Sequence, residues 1–153
     1  MTTAATILAP VDFSSGSKTA VEYAAALAKA LRSTITLFHV YHKSDLMSGI
    51  VPGADPWADD KTNQAIARTE LEKMRVETER SSGVEVRAIV VSGSPAEQIV
   101  SYASRGAFDL VVMGTHGRTG IQRFLMGSVA ETVVRHARCP ILTIHLPPTD
   151  HGS

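Results

Sequence analysis

Cysteine is almost missing from this chain. Cys139 is the only one among 153 residues, so no internal disulfide can form, and a reducing compartment is the natural setting. An excess of one charge is missing too. The 15 basic residues balance 15 acidic ones, which argues against a broad electrostatic surface for nucleic acid. No apolar run approaches a membrane-spanning length. The N-terminal stretch MTTAATILAPVDF has no basic region and only a short apolar run, so it reads as a first strand rather than a signal peptide. The expected location is the cytoplasm, with no membrane span and no nucleic-acid partner.

Several catalytic signatures are also absent. There is no G-x-x-x-x-G-K-[ST] phosphate loop, no G-x-G-x-x-G after a strand, and no G-x-S-x-G nucleophile elbow. The six histidines form no H-E-x-x-H, and no C-x-x-C exists, which disfavours a structural metal. His39 and His145 fall in expected strands and His136 in an expected helix, so each reads as a packing or surface histidine. Cys139 precedes a proline at a helix-to-strand turn and reads as a small core residue.

What is present is a regular alternation. Thr6 to Val11 is a short apolar run ending at Asp12, followed by serines suited to a turn and helix cap. Pro10 is tolerable near a strand terminus. Asp12 is either a ligand contact at a strand end or a local cap for the serine turn. The next helix runs to about Leu31, with Val21, Ala24, Ala25, Ala28 and Leu31 on one face. Ile35 to Tyr41 is a second buried strand. The stretch from Lys43 to Asp60 lacks a period, holds Trp57, and is long for a connection. Trp57 either covers a ligand or partner, or anchors the loop on the core. Asp59 to Arg80 reads as a charged helix with a thin stripe of Ile66, Leu71 and Met74, ended by Ser82-Gly83. Val84 to Val91 suits a strand near a sheet edge. Ser94, Pro95 and Glu97 read as a capping box with proline at N1, opening a helix that buries Ile99, Val100 and Ala103. Asp109 to Met113 is a fourth strand. A helix from Ser128 to about Ala137, with Val129, Thr132 and Val133 inward, and a strand from Ile141 to Leu146 complete the pattern. Such alternation predicts one α/β domain, an open, doubly wound parallel sheet with helices on both faces. The expected domain spans 1–148, with 149–153 a disordered tail.

The most informative stretch is LVVMGTHGRTGIQRFLMGSVA, from Leu110 to Ala130. A strand stops at Gly114. After two intervening residues comes Gly117, and after nine more come Gly127 and Ser128 at a helix start. No acidic residue lies between Asp109 and Glu131, whereas His116, Arg118 and Arg123 do. Glycine lets backbone approach a ligand, and the first turn of a helix offers unpaired N–H groups and positive potential. Together these make an anion cradle. An ordinary glycine-turned βα loop is the alternative.

The Gly-x2-Gly-x9-Gly-Ser pattern, with Val129 after it and Arg138-Cys139-Pro140-Ile141-Leu142 closing the region, resembles the ATP-binding branch of the universal stress protein family over nearly the whole chain. The resemblance implies a Rossmann-like, five-stranded parallel sheet of order 3-2-1-4-5, which periodicity does not supply. It also implies an ATP site. Pro10, Val11 and Asp12 match the adenosine-contacting strand end, and Val40 the apolar wall for adenine. Met113 and Gly114 match the ribose-side loop. Gly117, Arg118, Gly127, Ser128 and Val129 match the triphosphate cradle, with His116 beside it. Magnesium is the expected bridging cation. A homodimer through Ile141–Leu146 is implied as well, and an apolar edge strand there independently invites pairing. No catalytic residue stands out; Asp12 and His116 are the only candidate bases. The function expected is an ATP-binding regulatory dimer in stress adaptation. A slow ATP hydrolase and a nucleotide-free interaction module are the alternatives.

Overall fold

The structure is a computed structural model that describes residues 5–41, 52–53, 55, 59–106, 108–115 and 126–146. In chain order the elements are β1 (Thr6–Pro10), α1 (Ser15–Leu31), β2 (Thr34–Tyr41), α2 (Asp60–Ser82), β3 (Val86–Ser92), α3 (Pro95–Arg105), β4 (Leu110–Gly114), α4 (Ser128–His136) and β5 (Ile141–Ile144). The five strands form one parallel sheet of order β3-β2-β1-β4-β5. This is the expected fold and order.

Strand alternation sorts the core into two layers. Ile7, Ala9, Ile35, Leu37 and Val112 face α1 and Leu71 of α2. Leu8, Phe38, Val40, Val111 and Met113 face Ile99 and Ala103 of α3 and Ala130 and Val133 of α4. Both faces of β1, β2 and β4 are covered, which explains their continuous apolar runs.

Some boundaries and faces differ from the sequence expectations. Leu31 is 54% exposed because α1 closes there, with Arg32 in the left-handed region; Ala20 is buried instead. On α3, Ser94 caps through its carbonyl alone, accepting from Gln98 N–H at 3.0 Å. Its ψ of 123°, against 163° at Ser14 and 162° at Asp59, leaves no side-chain cap bond, so no capping box forms. On α4, Ala130 joins Val133 inside, while Val129 and Thr132 are half-buried. β5 stops at Ile144 because its partner β4 runs out at Gly114, leaving His145 and Leu146 beyond the strand. β3 starts at Val86, where pairing with Ile35 begins. The charged α2 behaves as expected: Lys73 meets Glu70 at 3.0 Å on its outer face, and such exposed pairs add little stability. Trp57, most of the 43–60 stretch and the 149–153 tail lie outside the described residues.

Candidate functional site

Strand order reverses between β1 and β4. β1 leads through α1 to β2 on one side, and β4 leads through α4 to β5 on the other. Open α/β sheets bind ligands at the carboxyl ends of strands at such a switch point.

Pro10 helps open that point. In an extended strand a residue's N–H and C=O point to one side, and sides alternate along the chain. Thr6 C=O accepts from Asp109 N–H on the β4 side, and Val11 N–H donates to Phe38 C=O on the β2 side. Pro10 therefore faces β4, where it has no donor to offer. The described β1–β4 pairs end at Leu8↔Val111, whereas pairing with β2 continues to Pro10↔Phe38.

Beyond Pro10 the chain turns into α1. Ser14 caps the helix by accepting from Ser17 N–H at 3.1 Å. Asp12 Oδ1 in turn accepts from Ser14 N–H at 2.9 Å and from the Ser14 hydroxyl. Asp12 N–H donates to Ser17 Oγ at 3.3 Å. Of the two readings of Asp12, the local cap is present in the structure. Phe13 follows with φ 62°, a conformation that bulky residues rarely take.

The β4 end is built differently. Gly114 lies against the first turn of α1, where a Cβ would stand 3.2 Å from both the carbonyl carbon and the oxygen of Gly16. Close approach of two backbones thus accounts for this glycine without any ligand. Thr115, 4% exposed, is a junction. Its N–H donates to Ile144 C=O at 3.1 Å, its C=O accepts from Gly127 N–H at 2.6 Å, and its Oγ1 lies 2.8 Å from His145 Nδ1. Thr115 and Gly127 are therefore held together beside the start of α4. Gly127 is the N-cap, with extended φ −61° and ψ 155° and no side chain to occupy the helix end. The first-turn N–H groups of α4 then have no partner within their own helix, a donor set that fits an anion.

The Universal stress protein family matches the chain over residues 4–145. This chain belongs to that family. Universal stress protein MJ0531 of Methanocaldococcus jannaschii is 32% identical over 147 residues, covering 92% of this chain and 82% of that protein. The solved structure of MJ0577, from the same organism, matches with a TM-score of 0.70 at 25% identity, covering 95% of this chain and 99% of that one. A universal stress protein solved in complex with cAMP shares the fold, with a TM-score of 0.67 at 22% identity over 94% of this chain and 98% of that one.

In this universal stress protein Pro10, Val11, Asp12, Met113 and Gly114 stand at the ends of the two central strands, and Gly127, Ser128 and Val129 at the α4 start that Thr115 fastens beside them. Val40, near the end of β2, is only 6% exposed and belongs to the core with Met113. His116, Gly117 and Arg118 lie outside the described residues. Gly16, Thr115 and His39 were not singled out as site residues by sequence. Gly16 and Thr115 flank motif positions, but their partners are distant in the chain. Cys139 is half-buried against the second core, and burial pushes its thiol up from its ordinary value, against a nucleophilic role. An open groove of about 710 Å³ lies at the β3 edge, lined by Arg68, Glu72, Val76, Ala88 and Val90 among others. It is remote in the fold from the strand switch point and gathers mixed charges on α2 with no shared target.

Proposed function

We propose that this chain binds an adenine nucleotide, ATP with Mg2+, across the ends of β1 and β4, and works as a homodimeric regulator of stress adaptation in the cytoplasm. The observation that carries this reading is the Thr115–Gly127 bond of 2.6 Å. It brings the ends of the glycine- and arginine-bearing segment together at a helix N-terminus and at the strand switch point. Pro10, Val11, Asp12 and Val40 would take the nucleoside side, with Met113 and Gly114 at the ribose. His116, Gly117, Arg118, Gly127, Ser128 and Val129 would hold the phosphates. Magnesium commonly keeps waters and binds through phosphates plus one or two carboxylates, and Asp12 is the carboxylate at hand. The cAMP complex of a relative supports an adenylate in this fold.

The chemistry favours binding over turnover. Asp12 already accepts two bonds from Ser14, a structural duty in the turn before α1. At the far edge, Leu142 and Leu146 are 36% and 38% exposed, and Val134 of α4 is 45% exposed. A two-fold contact through 141–146 would cover this patch.

Mass spectrometry of molecules released from denatured native protein, with Mg-ATP calorimetry, tests the site. Ser128→Asp is the matching variant. An acid in the first turn suits the helix dipole, yet repels phosphate. The expected result is about ten-fold weaker ATP binding or worse, with Tm unchanged. Native protein that releases no nucleotide and takes up no Mg-ATP overturns the reading and leaves an interaction module; steady ADP production moves it to a hydrolase. Sedimentation equilibrium of Leu142→Lys tests the dimer, with monomer as the expected result.

A further inference from the structure

We propose that His39 is a positioning residue for the nucleotide cleft, acting through the Val11 carbonyl and the Phe13 ring rather than touching the nucleotide. The role rests on the nucleotide reading above. His39 is 1% exposed, on the side of β2 that Ile35 and Leu37 turn toward α1 and α2. An aliphatic residue would suit that packing. A buried imidazole is costly unless it is hydrogen-bonded, and here its Nδ1 lies 2.7 Å from Val11 O.

That contact completes a clamp. Val11 lies just past β1, and β2 holds both of its backbone polar groups: Phe38 C=O accepts its N–H at 2.9 Å, and His39 takes its C=O. Two residues on, the Phe13 ring sits on the His39 ring, with centroids 4.6 Å apart and planes at 46°. Phe13 is the residue with φ 62°, a backbone state that persists only when its surroundings hold it. One side chain thus grips the chain on both sides of Asp12. Asp12 itself is tied to Ser14 and Ser17, so the clamp fixes where the strand end faces the cleft.

A carbonyl oxygen only accepts, so Nδ1 must carry a proton. This gives a readout independent of nucleotide. Long-range proton–nitrogen NMR of the native, full-length chain is expected to show His39 protonated at Nδ1. A bare Nδ1 with Nε2–H overturns the clamp.

Calorimetry with Mg-ATP and with AMP tests the role. His39→Leu is expected to weaken both ligands equally, by about ten-fold, the scale of a lost buried hydrogen bond. His39→Asn, whose amide can donate from near the Nδ1 position, is expected to restore most of the affinity. A His39→Leu protein that binds like native overturns the role, as does a loss confined to ATP, which would implicate the phosphate side. If His39→Leu fails to fold, failure of His39→Asn to outperform His39→Ala overturns it instead. If the native chain binds neither ligand, the nucleotide reading fails and this role falls with it. Native binding without a His39 effect sinks the role alone.

Discussion

The two strand ends at the switch point are held in opposite ways. After β1 the chain is fixed by side chains: Ser14 on Ser17, Asp12 on Ser14, and His39 on Val11. After β4 it is fixed by backbone: Gly114 against Gly16, and the Thr115 N–H and C=O bonded to Ile144 and Gly127. A side-chain-held turn fails when an atom is removed. A backbone-held junction resists deletion and fails when an atom is added. The switch point therefore has one side sensitive to truncation and one sensitive to enlargement.

Enlargement at the β4 side should give the largest effect. Gly114→Val places a branched side chain against Gly16 backbone that cannot rotate away. The expected loss is about 2 kcal/mol, or roughly 4–8 °C in Tm at this chain length. Urea denaturation checks it, and an unchanged midpoint would break the comparison at its stronger half. Truncation at the β1 side comes next. Ser14→Ala removes the α1 cap and a donor to Asp12, with an expected cost of about 1 kcal/mol that Ser14→Thr largely recovers.

Truncation at the β4 side should matter less. Thr115→Val loses the hydroxyl's contacts with His145 and the Ile144 C=O but keeps both backbone bonds. The expected cost is below about 1 kcal/mol, and hydrogen exchange at the Gly127 amide should stay slow. Fast exchange there would show that the side chain, not the backbone, secures the junction.

The smallest effect sharpens the side-chain case with a charged cap. Asp59 accepts from Thr62 N–H at 2.7 Å, and this bond lowers its carboxyl below the ordinary value. A lowered folded value means stability that is present above the unfolded value of about 3.9 and lost as pH falls through the folded one. Asp59→Asn keeps an acceptor but cannot titrate. It should match native protein at pH 7 and show a shallower acid-unfolding slope; identical acid limbs would remove Asp59 from the account.

Local signals made most of the fold legible. Runs such as Ile35 to Tyr41 could be read as buried strands because both sheet faces are covered, and Gly83, left-handed with φ 73°, ends α2 where the sequence placed its end. The candidate site was legible in parts. Gly127 and Ser128 do open a helix, and both readings of Asp12 were in view, but composition could not choose between them. His39 was read as a packing histidine because its partner, Val11, is 28 residues away. Gly114 was read as room for a ligand, whereas its neighbour is Gly16, on a helix far away in the chain. Ser94 misled because a cap needs the right ψ as well as the right residue.

By itself, then, the sequence determined the alternation of strands and helices, most of their buried faces, and the glycine-rich, acid-free segment after β4. These follow from periodicity, propensity and local hydrogen bonding, which act over a few residues. Only the tertiary structure decided which strands became neighbours, that Pro10 would turn its missing donor toward β4, and that Thr115 would join β4, β5 and α4. Those outcomes depend on contacts between residues far apart in the chain, and one-dimensional patterning carries no term for them.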